Sequence, residues 1–203
     1  DAGGNSMRNC LHPSVWKTRV FQRLWADDRA SQIVEFALSL PLLVLFVVGI
    51  FDFSGAISLK QKLTNAAREA ARVAAADPAN DLAAAAVPAS VTDAFYVTDN
   101  YLLSEKINDC GLSPTPPAPT QSALTWTYSS SGSGCPGSGI TLKVNRGCKS
   151  TIPSGPNTVN LIETCVTITY PYKWQYSSVT GLLGITFIGP TGITTTATAF
   201  NEN

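Results

Sequence analysis

The longest uninterrupted apolar stretch lies early in the chain, in "EFALSLPLLVLFVVGIFDF", residues 35–53. No charged residue falls between Glu35 and Asp52, and the run from Phe36 to Phe51 would extend about 24 Å as a helix. Its core, "LPLLVLFVVGIF", lacks the polar face carried by a helix on the surface of a soluble domain. Beyond Asp52 the composition changes while helical spacing persists. In "LKQKLTNAAREAARVAAA", Leu59, Leu63, Ala66, Ala70 and Val73 share one face, and Lys60, Arg68 and Arg72 lie largely on others. Asp77-Pro78 supplies the stop, because the residue before a proline is pushed away from helical geometry. The pattern therefore predicts one helix over residues 31–76, with an apolar half followed by an amphipathic half. The alanine-rich face would pack on its own domain, and it also permits close approach of partner helices.

Further along, Val91, Phe95, Thr98 and Leu102 recur at helical spacing and predict a second helix, interrupted at Pro88. Residues 111–139 are rich in Pro, Ser and Gly and predict surface loops. Within them "ALTWTY" alternates like a strand, with Trp126 and Tyr128 as core-facing residues. "ITLKV" and "TCVTITYPY" also alternate, and "SGPN" between them carries turn chemistry, so a hairpin is expected. "GITFIG" and "GITTTATAF" add one or two more strands. The class expected is α+β: a long N-terminal helix, a second helix, and a small antiparallel sheet.

Cysteine placement changes the picture. Of five cysteines, Cys10 precedes the apolar run and Cys110, Cys135, Cys148 and Cys165 follow it. None forms Cys-x-x-Cys, which disfavours zinc ribbons and thioredoxin-like motifs and favours two disulfides in an oxidising compartment. Folding the chain about Pro156 and Asn157 would bring Cys148 opposite Cys165, leaving Cys110 with Cys135 as one of three connectivities.

Charge and composition exclude several classes. The formal charge is zero, with 14 % charged residues, so no basic excess points to nucleic acid. The single histidine, His12, precedes the apolar run, so the folded part has no imidazole for base catalysis or metal binding. No nucleophile lies beside a base, no glycine-rich phosphate loop occurs, and acidic residues lack metal-site spacing. No enzyme, cofactor or metal is expected.

The apolar run then reads as a membrane span over about residues 33–53. Positive charge does not orient it, since Lys17, Arg19, Arg23 and Arg29 precede it and Lys60, Lys62, Arg68 and Arg72 follow it. The cysteines place residues 77–203 outside the cytoplasm and the leader, residues 1–30, inside. A removable secretion signal competes, with "FSGAIS" as its cut site; the long leader and the unbroken helical pattern weigh against it.

Glu35 is the awkward residue. Three residues after Ser31 stands Val34, so Glu35 misses the capping-box register. A carboxylate at full membrane depth costs about 2.5 kcal/mol or more and calls for a positive partner. Here "RASQIVEF", the apolar run and "NAAREAARVAA" together resemble the TadE-like family, the minor pilin-like proteins of tight-adherence (Tad) branches of type IV pilus systems. "CVTITYPYKW" and "GITTTATAF" resemble that family's closing strands, while the region from Leu82 to Pro156 carries no resemblance.

The resemblance implies a prepilin peptidase cut between Ala30 and Ser31, with Glu35 as the fifth residue of the mature chain and Phe36 beside it in the assembly segment. It implies that the freed amine of Ser31 is met by Glu35 of the same or a neighbouring subunit. Ala30 departs from the glycine common before such cuts. The partners implied are the peptidase, other pilin-like subunits and the inner membrane, and the function is a filament or assembly subunit. The alternative is a membrane-anchored display or adhesion module outside any filament.

Overall fold

The computed structural model describes residues 28–83, 86–154, 157–175, 181 and 189–202. Helix α1 spans Asp28–Ala76, α2 spans Ala89–Ser104, and five strands follow: β1 Thr120–Ser122, β2 Thr125–Ser130, β3 Ile140–Ser154, β4 Asn157–Pro171 and β5 Gly192–Phe200. The class is α+β. The chain divides into two units between Gly49 and Ile50.

In the first unit, the described part is the N-terminal portion of α1. None of its residues from Ser31 to Gly49 is buried, and Ile33, Leu38, Leu43 and Phe46 are all strongly exposed. It contains Pro41, which has no N–H to give the carbonyl one turn back. Nearby, the Ser39 hydroxyl donates to the Phe36 carbonyl at 3.1 Å.

The second unit is built on a five-stranded antiparallel sheet in the order β1-β2-β3-β4-β5, each strand pairing with its neighbours in sequence. Alternation decides its two faces. Trp126 and Tyr128, Ile140, Leu142 and Val144, then Val166, Ile168 and Tyr170 point into one core with Leu63, Ala66, Ala67, Ala70, Ala71 and Ala74 of α1 and Val91, Ala94, Phe95 and Leu102 of α2. Small side chains on α1 allow close packing, because helix separation follows side-chain size at the contact. At about 100° per residue, Ala67, Ala71 and Ala74 lie nearer the centre of the buried face than Val73 does. Val73 is accordingly only half-buried. The opposite face of the sheet is rich in threonine, with Thr167 and Thr196 hydroxyls 2.8 Å apart and Thr169 and Thr194 hydroxyls 3.1 Å apart.

Helix α2 begins after Pro88 instead of being interrupted by it. Pro88 stands at the N-cap with extended ψ, and the Ala89 N–H donates to Asp81 Oδ2 at 2.8 Å. Proline's fixed φ and missing N–H suit a helix start and disfavour a helix interior. The loop-rich segment 111–139 contains β1 and β2. The turn from β2 to β3 needs Gly139, which has φ +88° and whose added Cβ would lie 2.1 Å from the Ser130 carbonyl oxygen.

The β3–β4 hairpin closes between Ser154 and Asn157, and a register shift lies between Asn145 and Cys148. One extra residue on β3 is accommodated there as a bulge. Consequently Cys148 stands across from Glu163 and Cys165 across from Asn145, so the two cysteines are diagonal instead of directly opposite. Their sulfurs are bonded all the same, as are those of Cys110 and Cys135. Past the bulge, β3 and β4 continue as a ribbon with Ile152, Val159 and Ile162 exposed. Cys10, His12, most of the leader and nearly all of "GITFIG" lie outside the described residues.

Candidate functional site

The residues singled out for processing and assembly all lie on α1. The helix is continuous from Asp28, so the Ala30-Ser31 bond is within helical backbone. Ser31 and Glu35 are four residues apart and share one side of the helix. Glu35 and Phe36 are exposed, Phe36 to 63 %. Among the described residues, no ion pair or hydrogen bond engages the Glu35 carboxylate. Apolar residues surround it along the helix: Ile33, Val34, Leu38 and Leu40 are exposed as well. The arrangement is a bare apolar rod with a carboxylate near its beginning. Among the described residues, α1 is the one helix long and apolar enough to cross a membrane.

The other end of α1 is fixed by a residue that the sequence reading passed over. Arg146 lies in the β3 bulge and is buried. Its Nη1 donates to the Ala74 carbonyl and to Thr164 Oγ1, the latter at 2.9 Å, and its Nη2 donates to the Asp77 carbonyl at 2.9 Å. The final carbonyls of a helix have no donor within it and carry partial negative charge, so a cation from the sheet satisfies both needs. The Glu202 N–H adds a bond to the Ala75 carbonyl at 3.3 Å. Burial holds the Arg146 guanidinium below its ordinary pKa, against the pull of Asp77 and Asp81. Burial likewise raises the Asp77 carboxyl, with Asp93 adding to the rise and Arg146 opposing it. A sequence signal for Arg146 exists: continuing the inward parity of Ile140, Leu142 and Val144 lands on an arginine.

Between these ends, further contacts tie α1 to the rest of its unit. Thr64 and Thr195 hydroxyls lie 2.9 Å apart, and Lys62 Nζ is 3.0 Å from Glu105 Oε2 at the end of α2. Asp52 Oδ1 accepts the Gln175 N–H at 3.0 Å. The C-terminal half of the helix is thus structural in the strict sense: its small face, its end and its first turn are all engaged.

A second buried carboxyl lies away from α1. Asp99 on α2 is 5 % exposed, and no hydrogen bond reaches its Oδ1 among the described residues. Burial raises its pKa, and the neighbouring Asp109 raises it further. Asp109 is itself committed to its loop, accepting the N–H groups of Gly111 and Ser113. Among the described residues, no group of acidic, histidine or cysteine side chains is arranged to hold a metal ion.

Residues 30–72 match the family model described as TadE-like protein. The matched segment coincides with α1 from the candidate cut site to the alanine face, so the similarity to TadE-like proteins covers that helix and not the rest of the chain. The match stops short of β4 and β5, so the resemblance of the closing strands lies outside it. No curated protein and no solved structure matches the chain.

Proposed function

We propose that this chain is a pilin-like subunit, held in the inner membrane by the apolar half of α1, that joins or primes an extracellular type IV-related filament through that helix. The observation that carries the reading is the division of one TadE-like helix into two environments. Residues Ser31–Gly49 are uncovered and, from Phe36 on, uncharged and predominantly apolar, while the following turns are built into an α+β unit. A rod with an uncovered apolar surface is suited first to lipid and then to the equivalent helices of neighbouring subunits.

In this reading prepilin peptidase cuts between Ala30 and Ser31, and the leader is cytoplasmic. The new Ser31 amine is then neutralised by Glu35 of the same or a neighbouring subunit, with Phe36 packing beside that contact. Charge neutralisation supplies the reason for a carboxylate there, since an unpaired one near hydrocarbon is costly. The α+β unit lies outside the cytoplasm, where the two disulfides persist.

The test is Glu35→Ala in the full chain, followed by separation of sheared filaments from membranes. The variant is expected to fold and insert normally and to be lost from the filament fraction. Normal incorporation would sink the assembly reading. Mass spectrometry of the mature N-terminus is the companion measurement: a chain beginning at Ser31 supports processing, and an uncut leader removes it.

A further inference from the structure

The apolar run ends at Phe51, and the next residues are already part of the folded unit. Asp52 is buried: its carboxylate accepts the Gln175 N–H at 3.0 Å, and its carbonyl accepts the Tyr172 hydroxyl at 3.2 Å. Phe53 is 56 % exposed and meets Trp174 edge-on, with ring centroids 5.5 Å apart. Trp174 meets Tyr172 at right angles, 5.1 Å between centroids, and its Nε1–H donates to the Pro190 carbonyl at 3.0 Å. Lys173 between them is exposed.

Two local features bring this segment to the helix. β4 ends at Pro171, and the Tyr172 N–H then bonds the Thr191 carbonyl at 2.9 Å. Gly55 permits close approach, since a Cβ there would lie 3.3 Å from the Tyr172 hydroxyl. Residues from the far end of the chain are thereby fastened to α1 at the point where its apolar run stops.

We propose that Phe53, Tyr172, Lys173 and Trp174 form an interfacial anchor that sits at the headgroup level of a phospholipid bilayer and sets how deeply α1 is seated. This rests on the reading of α1 as a membrane span. Three physical arguments favour a lipid interface as the occupant of this surface. Tyr and Trp combine an apolar body with a polar tip and concentrate where hydrocarbon meets water. Here both tips are bonded to protein carbonyls, Tyr172 and Trp174 are half-buried, and Phe53 adds an exposed ring to the same group.

Lys173 adds a cation on a flexible apolar stem, matched to anionic phosphate. The run from Phe36 to Phe51, about 24 Å as a helix, is also short against a hydrocarbon core of about 30 Å. A short span is seated by its flanking anchors and not by its own length. Asp52 fits the same scheme: its carboxylate is turned into the folded unit and hydrogen-bonded, away from lipid.

The test uses the full chain labelled with fluorotryptophan, reconstituted in phosphatidylcholine–phosphatidylglycerol nanodiscs and observed by fluorine NMR. Trp174→Phe assigns the signal, and alkaline extraction of vesicles independently scores insertion. The inserted chain is expected to lose most of its Trp174 signal to a spin label carried near the lipid headgroup, with less loss to a label deep in the acyl chain. The Trp126 signal, from the core, should survive both. Gly55→Val, which displaces Tyr172, should restore the Trp174 signal without releasing the chain. An inserted chain whose Trp174 is untouched by either lipid label overturns the anchor and leaves the membrane reading standing. A chain extracted by alkali overturns the membrane reading, and the anchor falls with it.

Discussion

The two halves of α1 are one continuous helix with opposite relations to their surroundings. Leu43 in the first half is 61 % exposed, whereas Leu63 in the second is fully buried. The difference is not one of helix propensity, since both are leucines in helical backbone. It lies in side-chain size around them. From Leu40 to Val48 the first half is bulky and apolar on every side, so it offers no small face for a sheet to approach. The second alternates alanines with charge, so one side can be covered while Arg68 and Arg72 stay in water. Burial therefore follows the pattern, not the average hydrophobicity, which is higher in the half left bare.

Matched substitutions turn this contrast into measurements on the detergent-solubilised chain. Leu63→Ala is expected to cost the most, about 3 kcal/mol of unfolding free energy, as a large-to-small change in a closed core. Urea unfolding followed by tryptophan fluorescence reads it. Arg146→Met should cost about 2 to 3 kcal/mol, because it strands the Ala74 and Asp77 carbonyls without donors. Its distinguishing readout is faster hydrogen exchange in the last turns of α1, which a general loss of packing would not confine there.

Asp99→Asn probes the unit away from α1, and its sign follows from the raised carboxyl. Burial and Asp109 favour the protonated form in the fold. The stability this gives is fully present below the unfolded Asp value, near about 3.9, and is lost as pH rises through the higher folded value. The variant should gain stability relative to the parent near neutrality and show a flatter profile on the acid side. Parent and variant with parallel profiles would remove the assignment. Leu43→Ala completes the comparison with the smallest effect, a change in the urea midpoint worth less than about 0.5 kcal/mol. A loss comparable to that of Leu63→Ala would mean that the apolar half is covered by its own domain after all.

Much of the architecture was legible because it rests on local patterns. The stop before Pro78, the helical spacing of Val91 to Leu102 and the alternation of "ITLKV" and "TCVTITYPY" each report a backbone period, and the structure follows all three. Glu35 stood out for a different reason, since a carboxylate at the edge of an apolar run is anomalous, whereas Ala30, Ser31 and Phe36 were singled out by the family resemblance alone. The β3 bulge was not legible, because a single extra residue leaves the alternation on either side intact and shows only when the partner strand is in place. It moved the cysteines from opposite to diagonal and carried Arg146 to the end of α1.

By itself the sequence determined the two helices and the cores of β2 to β5, where α1 stops, and that α1 carries no charge between Glu35 and Asp52. Those are consequences of side-chain type and spacing within a few turns. Only the tertiary structure decided that Arg146 caps α1, that Asp99 is enclosed beside Asp109, and that Tyr172 and Trp174 are fastened at Asp52 and Phe53. Each joins residues far apart in the chain, and no local period encodes which distant surface a segment will meet.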